Sequence, residues 1–182
     1  MVVLGVMAVA LGVGVPLFSA IAANGRMSSA TNDLLTSLRV ARSEALTRRA
    51  RRVVLCPTPD GAGDCVAAGN LGAGWTIFVD NNADGVISAG DVILQRHAAL
   101  ETADLVGGLS IAPAGEDVAF NDKGELANVG VIDIQLCDSR GDVDTGDEVA
   151  AGRWIQIGKY GQPQLTRDRE DVQSDRNPLG GC

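Results

Sequence analysis

Residues 1–52 read MVVLGVMAVALGVGVPLFSAIAANGRMSSATNDLLTSLRVARSEALTRRARR, and the reading of this stretch decides the fold. Residues 1–25 contain no charged side chain. As a helix, residues 2–23 would extend about 33 Å, enough to cross the hydrocarbon core of a bilayer. Val2, Leu4, Val9, Leu11, Pro16 and Phe18 are the positions expected to meet lipid or a neighbouring helix. Pro16 removes one helical hydrogen bond and is expected to kink or locally melt the helix there. Ala20-Ile21-Ala22 also fits the cleavage site of a secretory signal, but no basic segment precedes the apolar run, so an anchor is preferred. Residues 28–50 continue as helix. Leu34, Leu38, Ala41 and Ala45 fall at i, i+4, i+7 and i+11, one stripe that can bury against a sheet. Thr31 or Asn32 could cap a separate helix, though nothing obliges a break.

Charge divides the chain at the same place. Residues 1–52 hold seven arginines against Asp33 and Glu44, a net of +5, while residues 53–182 hold eight basic side chains against twenty-one acidic ones, a net of −13. The overall −8 thus conceals a basic stalk and an acidic head. An acidic head is a poor general binder of nucleic acid, because phosphate affinity comes from basic neutralisation. The stalk's arginines suit a solvated face, or an anionic lipid surface and acidic neighbours.

After Arg52 the pattern changes to strands. Expected strands are residues 53–56, 75–79, 86–87, 91–95, 109–112, 118–120, 131–136 and 153–158, separated by Gly-, Asn- and Asp-rich turns. The fold class is therefore α+β, a long N-terminal helix laid on antiparallel β-sheets. Residues 1–25 form the membrane part and residues 26–182 the head, in which residues 162–182 are expected as an extended polar tail. Trp75 and Trp154 sit in strand-like runs and read as core.

Four cysteines stand at 56, 65, 137 and 182, with one histidine in the chain, so a zinc site is disfavoured and two disulfides in an oxidising compartment are expected. Three pairings are open. The compact one joins Cys56 to Cys65 and Cys137 to Cys182, and would tie the last residue back to the body. Catalysis has no constellation behind it. His97 has no marked partner, no phosphate-binding loop occurs, and Gly12-x-Gly14 suits close helix packing.

Ala41-Arg42-Ser43-Glu44-Ala45 near the end of an apolar N-terminal helix is followed by Val53-Val54-Leu55-Cys56-Pro57 and then by Gly74-Trp75-Thr76-Ile77-Phe78-Val79-Asp80. This ordered combination covers nearly the whole chain and resembles the GspH/FimT-type minor pilins and pseudopilins. The resemblance implies a protein made as a prepilin, processed and methylated at its N-terminus, and anchored once in the bacterial inner membrane with its head in the periplasm. It further implies insertion into a type IV pilus or a type II secretion pseudopilus, with other minor and major pilins and inner-membrane lipid as partners. The family usually begins with a basic leader and Gly-Phe-Thr-Leu-x-Glu. Residues 1–5 here correspond to sequence just after that glutamate, so the expectation is a start placed too far downstream or a shortened chain. Some relatives that bind DNA carry Gly-Arg-x-Arg near the C-terminus. The matching stretch is Tyr160-Gly161-Gln162-Pro163-Gln164, whose glutamines cannot neutralise phosphate, so DNA binding is the alternative function and the less favoured one.

Residues 80–91 match a calcium-loop template, with Asp80, Asn82, Asp84, Val86 and Asp91 as the candidate ligands and Gly85 at the sharp turn. Hard Ca²⁺ requires several converging oxygens, and these positions could supply them. The shorter reach of Asp at the last position and the strand-like flanks favour a polar β-turn instead, as does the acidic turn common in the family at this place. No cofactor is expected beyond that candidate calcium. A second acidic run, Asp138, Asp142, Asp144, Asp147 and Glu148, reads as a solvated loop.

Overall fold

A computed structural model describes the backbone of residues 2–49, 52–66, 69–100, 110–112 and 117–182, and the side chains of these residues except 2, 4–18, 60 and 110–112. Helix α1 runs from Val2 to Arg48 without interruption. It passes through Pro16 and across the expected division at residue 25, so the local melting foreseen at Pro16 does not occur. Thr31 caps nothing. Its Oγ1 donates to the Met27 carbonyl 2.7 Å away, an i−4 bond that lets a hydroxyl sit in mid-helix. The helix ends two residues earlier than foreseen, where Arg49 turns to a left-handed φ of 47°. The side chains of Val2, Leu4, Val9, Leu11, Pro16 and Phe18 lie outside the described ones. Among the described residues no helix is long and apolar enough to cross a membrane.

Two antiparallel sheets lie beneath the C-terminal half of α1. The first has the order β3-β2-β1-β5, from β1 Val53–Pro57, β2 Trp75–Val79, β3 Val92–His97 and β5 Val118–Phe120. The second has the order β4-β6-β7-β8, from β4 Ser110–Ala112, β6 Ile132–Cys137, β7 Val149–Ile157 and β8 Pro163–Asp168. Residue alternation decides which side chains face the helix. Val53, Leu55, Trp75 and Ile77 of the first sheet and Ile134, Leu136, Ile155 and Ile157 of the second join Leu34, Leu38, Ala41 and Ala45 in one core. Both tryptophans are buried.

The opposite sheet faces carry smaller clusters, each sealed by a disulfide-held segment. Val54, Cys56, Phe78 and Ala119 lie under the segment closed by Cys56–Cys65. Ala150 and Trp154 pack with Val172 of α2, Arg169–Val172, whose downstream chain is held by Cys137–Cys182. The structure thus contains the compact pairing of the three that were open.

Two expectations are corrected. Residues 86–87 are not a strand, because Val86 donates its N–H to Asp84 Oδ1 inside the turn rather than to a neighbouring strand. Residues 162–182 are not an extended tail. Pro163–Asp168 pairs with β7 as an edge strand, where a leading proline costs no ladder bond, and α2 follows. Between the two strands the register slips from Val149/Asp168 to Trp154/Thr166. Buried Arg153 gathers the carbonyls freed there, bonding Ala150, Ala151 (3.1 Å) and Gly152 (2.9 Å). Burial, with Arg167 and Arg140 nearby, pulls its pKa below the ordinary guanidinium value, against the opposing pull of Asp138.

Candidate functional site

Three places carry the polar and exposed side chains that a function would use: the junction between shaft and head, the acidic turn, and the turn before β8. At the junction α1 leaves the head. From residue 19 onward, Met27 is the first buried residue, Ala22, Ala23 and Asn24 are half-buried, and Ser19, Ala20 and Ile21 face outward. Arg140 closes the junction from the head. Its Nη1 donates to Asn24 Oδ1 at 2.6 Å and its Nη2 pairs with Asp138 Oδ2 at 2.5 Å, and the Asp138 side chain is 6% exposed. Asp138 follows Cys137 directly, so the Cys137–Cys182 bridge fixes the base of this clasp.

Farther along α1 three more polar hooks hold the helix to the sheets. Trp75 Nε1 donates to Ser37 Oγ at 2.9 Å, and Arg42 Nε donates to the Gly124 carbonyl at 2.9 Å. His97 stacks on Trp75 with ring centroids 3.9 Å apart and places Nε2 4.0 Å from Asp33 Oδ2. It lies on edge strand β3.

The acidic run at 138–148 is not uniformly solvated, contrary to expectation. Asp138 belongs to the clasp, and Asp142 Oδ2 accepts from the Cys182 N–H at 2.6 Å. Asp144, Asp147 and Glu148 are exposed. Gly152 is required beside them, because a Cβ there would run into Asp142 Oδ1 and the Cys182 sulfur.

The turn of residues 80–91 brings oxygens of Asp80, Asp84 and Asp91 within 4.8 Å of one another, a spacing that a hard divalent cation can use. Those oxygens also serve as the turn's own frame. Buried Asp80 accepts from the N–H of Asp84 (3.2 Å) and of Gly85 (2.9 Å), with Arg52 Nε 3.9 Å away. Asn82 bonds Asp84 through both ends of its amide and also reaches Ser88 Oγ, and Val86 contributes its N–H. Asp91 accepts from Asn81 N, Ser88 N and Ser88 Oγ. Desolvation pulls the Asp91 carboxyl upward, but these three bonds outweigh it and hold its pKa below the usual carboxylate value. Chemically the loop is an Asx-type turn whose own donors hold the carboxylates in place.

At the third place Tyr160 is 76% exposed, and Gln162 and Gln164 face outward. Gly161 is buried at φ +69°, where a Cβ would collide with the Gly124 carbonyl. Sequence reasoning missed the hooks at Asn24, Ser37 and Arg42. Their partners stand 116, 38 and 82 residues away, and no local pattern marks such pairs.

Residues 30–151, about two thirds of the chain, match the family model described as type II transport protein GspH. Among solved structures the chain is similar to the type IV minor pilin FimU of Pseudomonas aeruginosa in two crystal forms. One is 24% identical, with a TM-score of 0.53, over 78% of this chain and 89% of that one. The other is 23% identical, with a TM-score of 0.50, over 76% of this chain and 91% of that one. At such identities the likeness speaks for the fold. No curated protein sequence matches.

Proposed function

The chain belongs to the GspH family of type II transport proteins, and from that membership we propose that it is a filament subunit, a minor pilin or pseudopilin that helps initiate a type IV pilus or a type II secretion pseudopilus. The family is one of structural proteins, and the role is assembly rather than catalysis. The observation that carries the reading is the division of α1. A 47-residue helix buries its C-terminal half in the head, while Val3 and Ile21 of its N-terminal half are exposed.

In this reading residues 2–23 anchor the subunit in the inner membrane and then pass laterally into the helical core of the filament. The uncharged composition of residues 1–25 supports that step, since transfer from lipid to a bundle of apolar helices moves no charge out of water. The disulfide-stapled head stays in the periplasm and meets other pilins. The two bridges suit that oxidising compartment.

Deletion of the chain in its own host, with filaments counted by electron microscopy and a tagged copy located by immunogold, tests the role. Loss of most filaments, restoration by the tagged copy and label at filament ends are expected. Filaments in normal number, with no label on them, would refute it.

A further inference from the structure

The side of α1 next to β8 forms a groove that the assembly role does not yet use. It is lined by Arg39, Arg42, Ser43 and Leu46 from the helix and by Gln162 and Pro163 from the turn into β8. The helical residues stand at i, i+3, i+4 and i+7, one face turned roughly 120° from the buried stripe at about 100° per residue. Arg39 is exposed and makes no hydrogen bond or ion pair among the described residues. Arg42 spends its Nε on the Gly124 carbonyl and keeps its two terminal nitrogens for another acceptor. The nearest acid on the helix, Glu44, is paired with Arg48. Leu46 is 45% exposed, and its position is set from below, because a Cβ at Gly124 would stand only 2.9 Å from its Cγ. The groove therefore offers two guanidinium forks, a hydroxyl, an amide and an apolar floor on a rigid base.

We propose that this groove receives an acidic loop from the head of a second copy of this chain. The inference rests on the filament reading above. Charge complementarity selects the occupant. Residues 53–182 carry a net of −13, against +5 for residues 1–52, so two copies of this chain whose helices run side by side set an acidic head against a basic shaft. Lipid headgroups fit less well. Arg39 lies sixteen residues beyond Ala23, about 24 Å along the helix, whereas surface charge is screened within about 8 Å at physiological salt. A nucleic acid would bring a long polyanion past twenty-one acidic side chains in the head. A short acidic loop meets no such barrier, and its carboxylates match the paired donors of arginine.

Photo-crosslinking of the full chain in its own host membranes tests the groove. With Ser43→p-benzoylphenylalanine, the expected adduct joins two copies of this chain through an Asp/Glu-bearing head peptide, identified by mass spectrometry. Arg39→Glu breaks no hydrogen bond or ion pair among the described residues, and it should lower the adduct yield about tenfold by turning an attraction into a repulsion, while Arg39→Lys preserves most of it. Yield unchanged in Arg39→Glu, an adduct with lipid, or an adduct with a peptide lacking acidic residues overturns the inference. So does retardation of a labelled DNA duplex that Arg39→Glu abolishes. The same probe at Ile21 separates the two readings. Crosslinks from Ile21 to another subunit's helix, with none from Ser43, sink the groove alone, and silence at both positions sinks the filament reading with it.

Discussion

Between Met27 and Ala45, α1 is sunk into the head, with Leu34, Leu38, Ala41 and Ala45 wholly buried, whereas Ile21 of the same helix is 62% exposed. One backbone thus serves two surroundings. The gripped half is specified by a stripe at helical spacing and by hooks from Trp75, His97 and Gly124. Among the described residues, the N-terminal half is tied to the head by the bond from Arg140 to Asn24. In the filament-subunit reading, stability and assembly fall to different residues of a single element, so they should respond to different substitutions.

The largest expected effect is on stability in the gripped half. Leu38→Asp should abolish cooperative folding, and Leu38→Ala should cost about 2–5 kcal/mol by leaving a cavity under the helix. Ile21→Asp should leave stability within about 0.5 kcal/mol while preventing entry into the filament. Urea titrations followed by tryptophan fluorescence, beside filament counts, separate the two. If Ile21→Asp destabilises as much as Leu38→Ala, the halves are not independent.

Next come the bridges. Replacing Cys137 and Cys182 by Ser should cost roughly 4 kcal/mol, and replacing Cys56 and Cys65 roughly 3 kcal/mol, because the first pair closes a loop of 45 residues and the second one of 9. Thermal melts of the two double variants give the order, and the reverse order would show that loop closure is not what the bridges supply. Arg140→Ala is smaller, about 2 kcal/mol, since it leaves the nearly covered Asp138 carboxylate without its partner. Amide exchange should then quicken around Asn24 and stay slow at Leu38. Uniform quickening would contradict a clasp confined to the junction.

The smallest effect lies in the acidic turn, remote from both halves of the helix. The Asp91 carboxyl is held below its unfolded value, so its contribution is fully present above about pH 4 and is lost as pH falls through the lower folded value. Exchange of the Asn81 and Ser88 amides should accelerate over that window in the native chain. In Asp91→Asn that pH dependence should vanish, and its persistence would place the titration elsewhere.

Much of the fold is legible because it follows from periodicity. Leu34, Leu38, Ala41 and Ala45 announce the buried helix face, and Trp75, Ile77 and Val79 announce the strand beneath it. What escapes reading is set by tertiary contact. β8 has a single aliphatic side chain, Leu165, and is a strand because β7 supplies its ladder. Val86 and Ile87 look like a strand by composition, yet the Asp84 and Asp91 carboxylates capture the backbone of their turn first. The clasp is invisible for the same reason, since Asn24 and Arg140 stand 116 residues apart and only the fold brings them together. The groove beside Arg39 needs β8 in place before it exists.

Nitroxide accessibility on the full chain in lipid nanodiscs tests the division of α1 most directly. Spin labels at Val3, Ile21 and Met27 are read for collision with oxygen, which concentrates in lipid, and with a water-soluble nickel chelate. The filament-subunit reading predicts a lipid-facing label at Val3, an interfacial one at Ile21 and a label shielded from both reagents at Met27. Access of the nickel chelate to Val3 equal to that at exposed Tyr160 would contradict it.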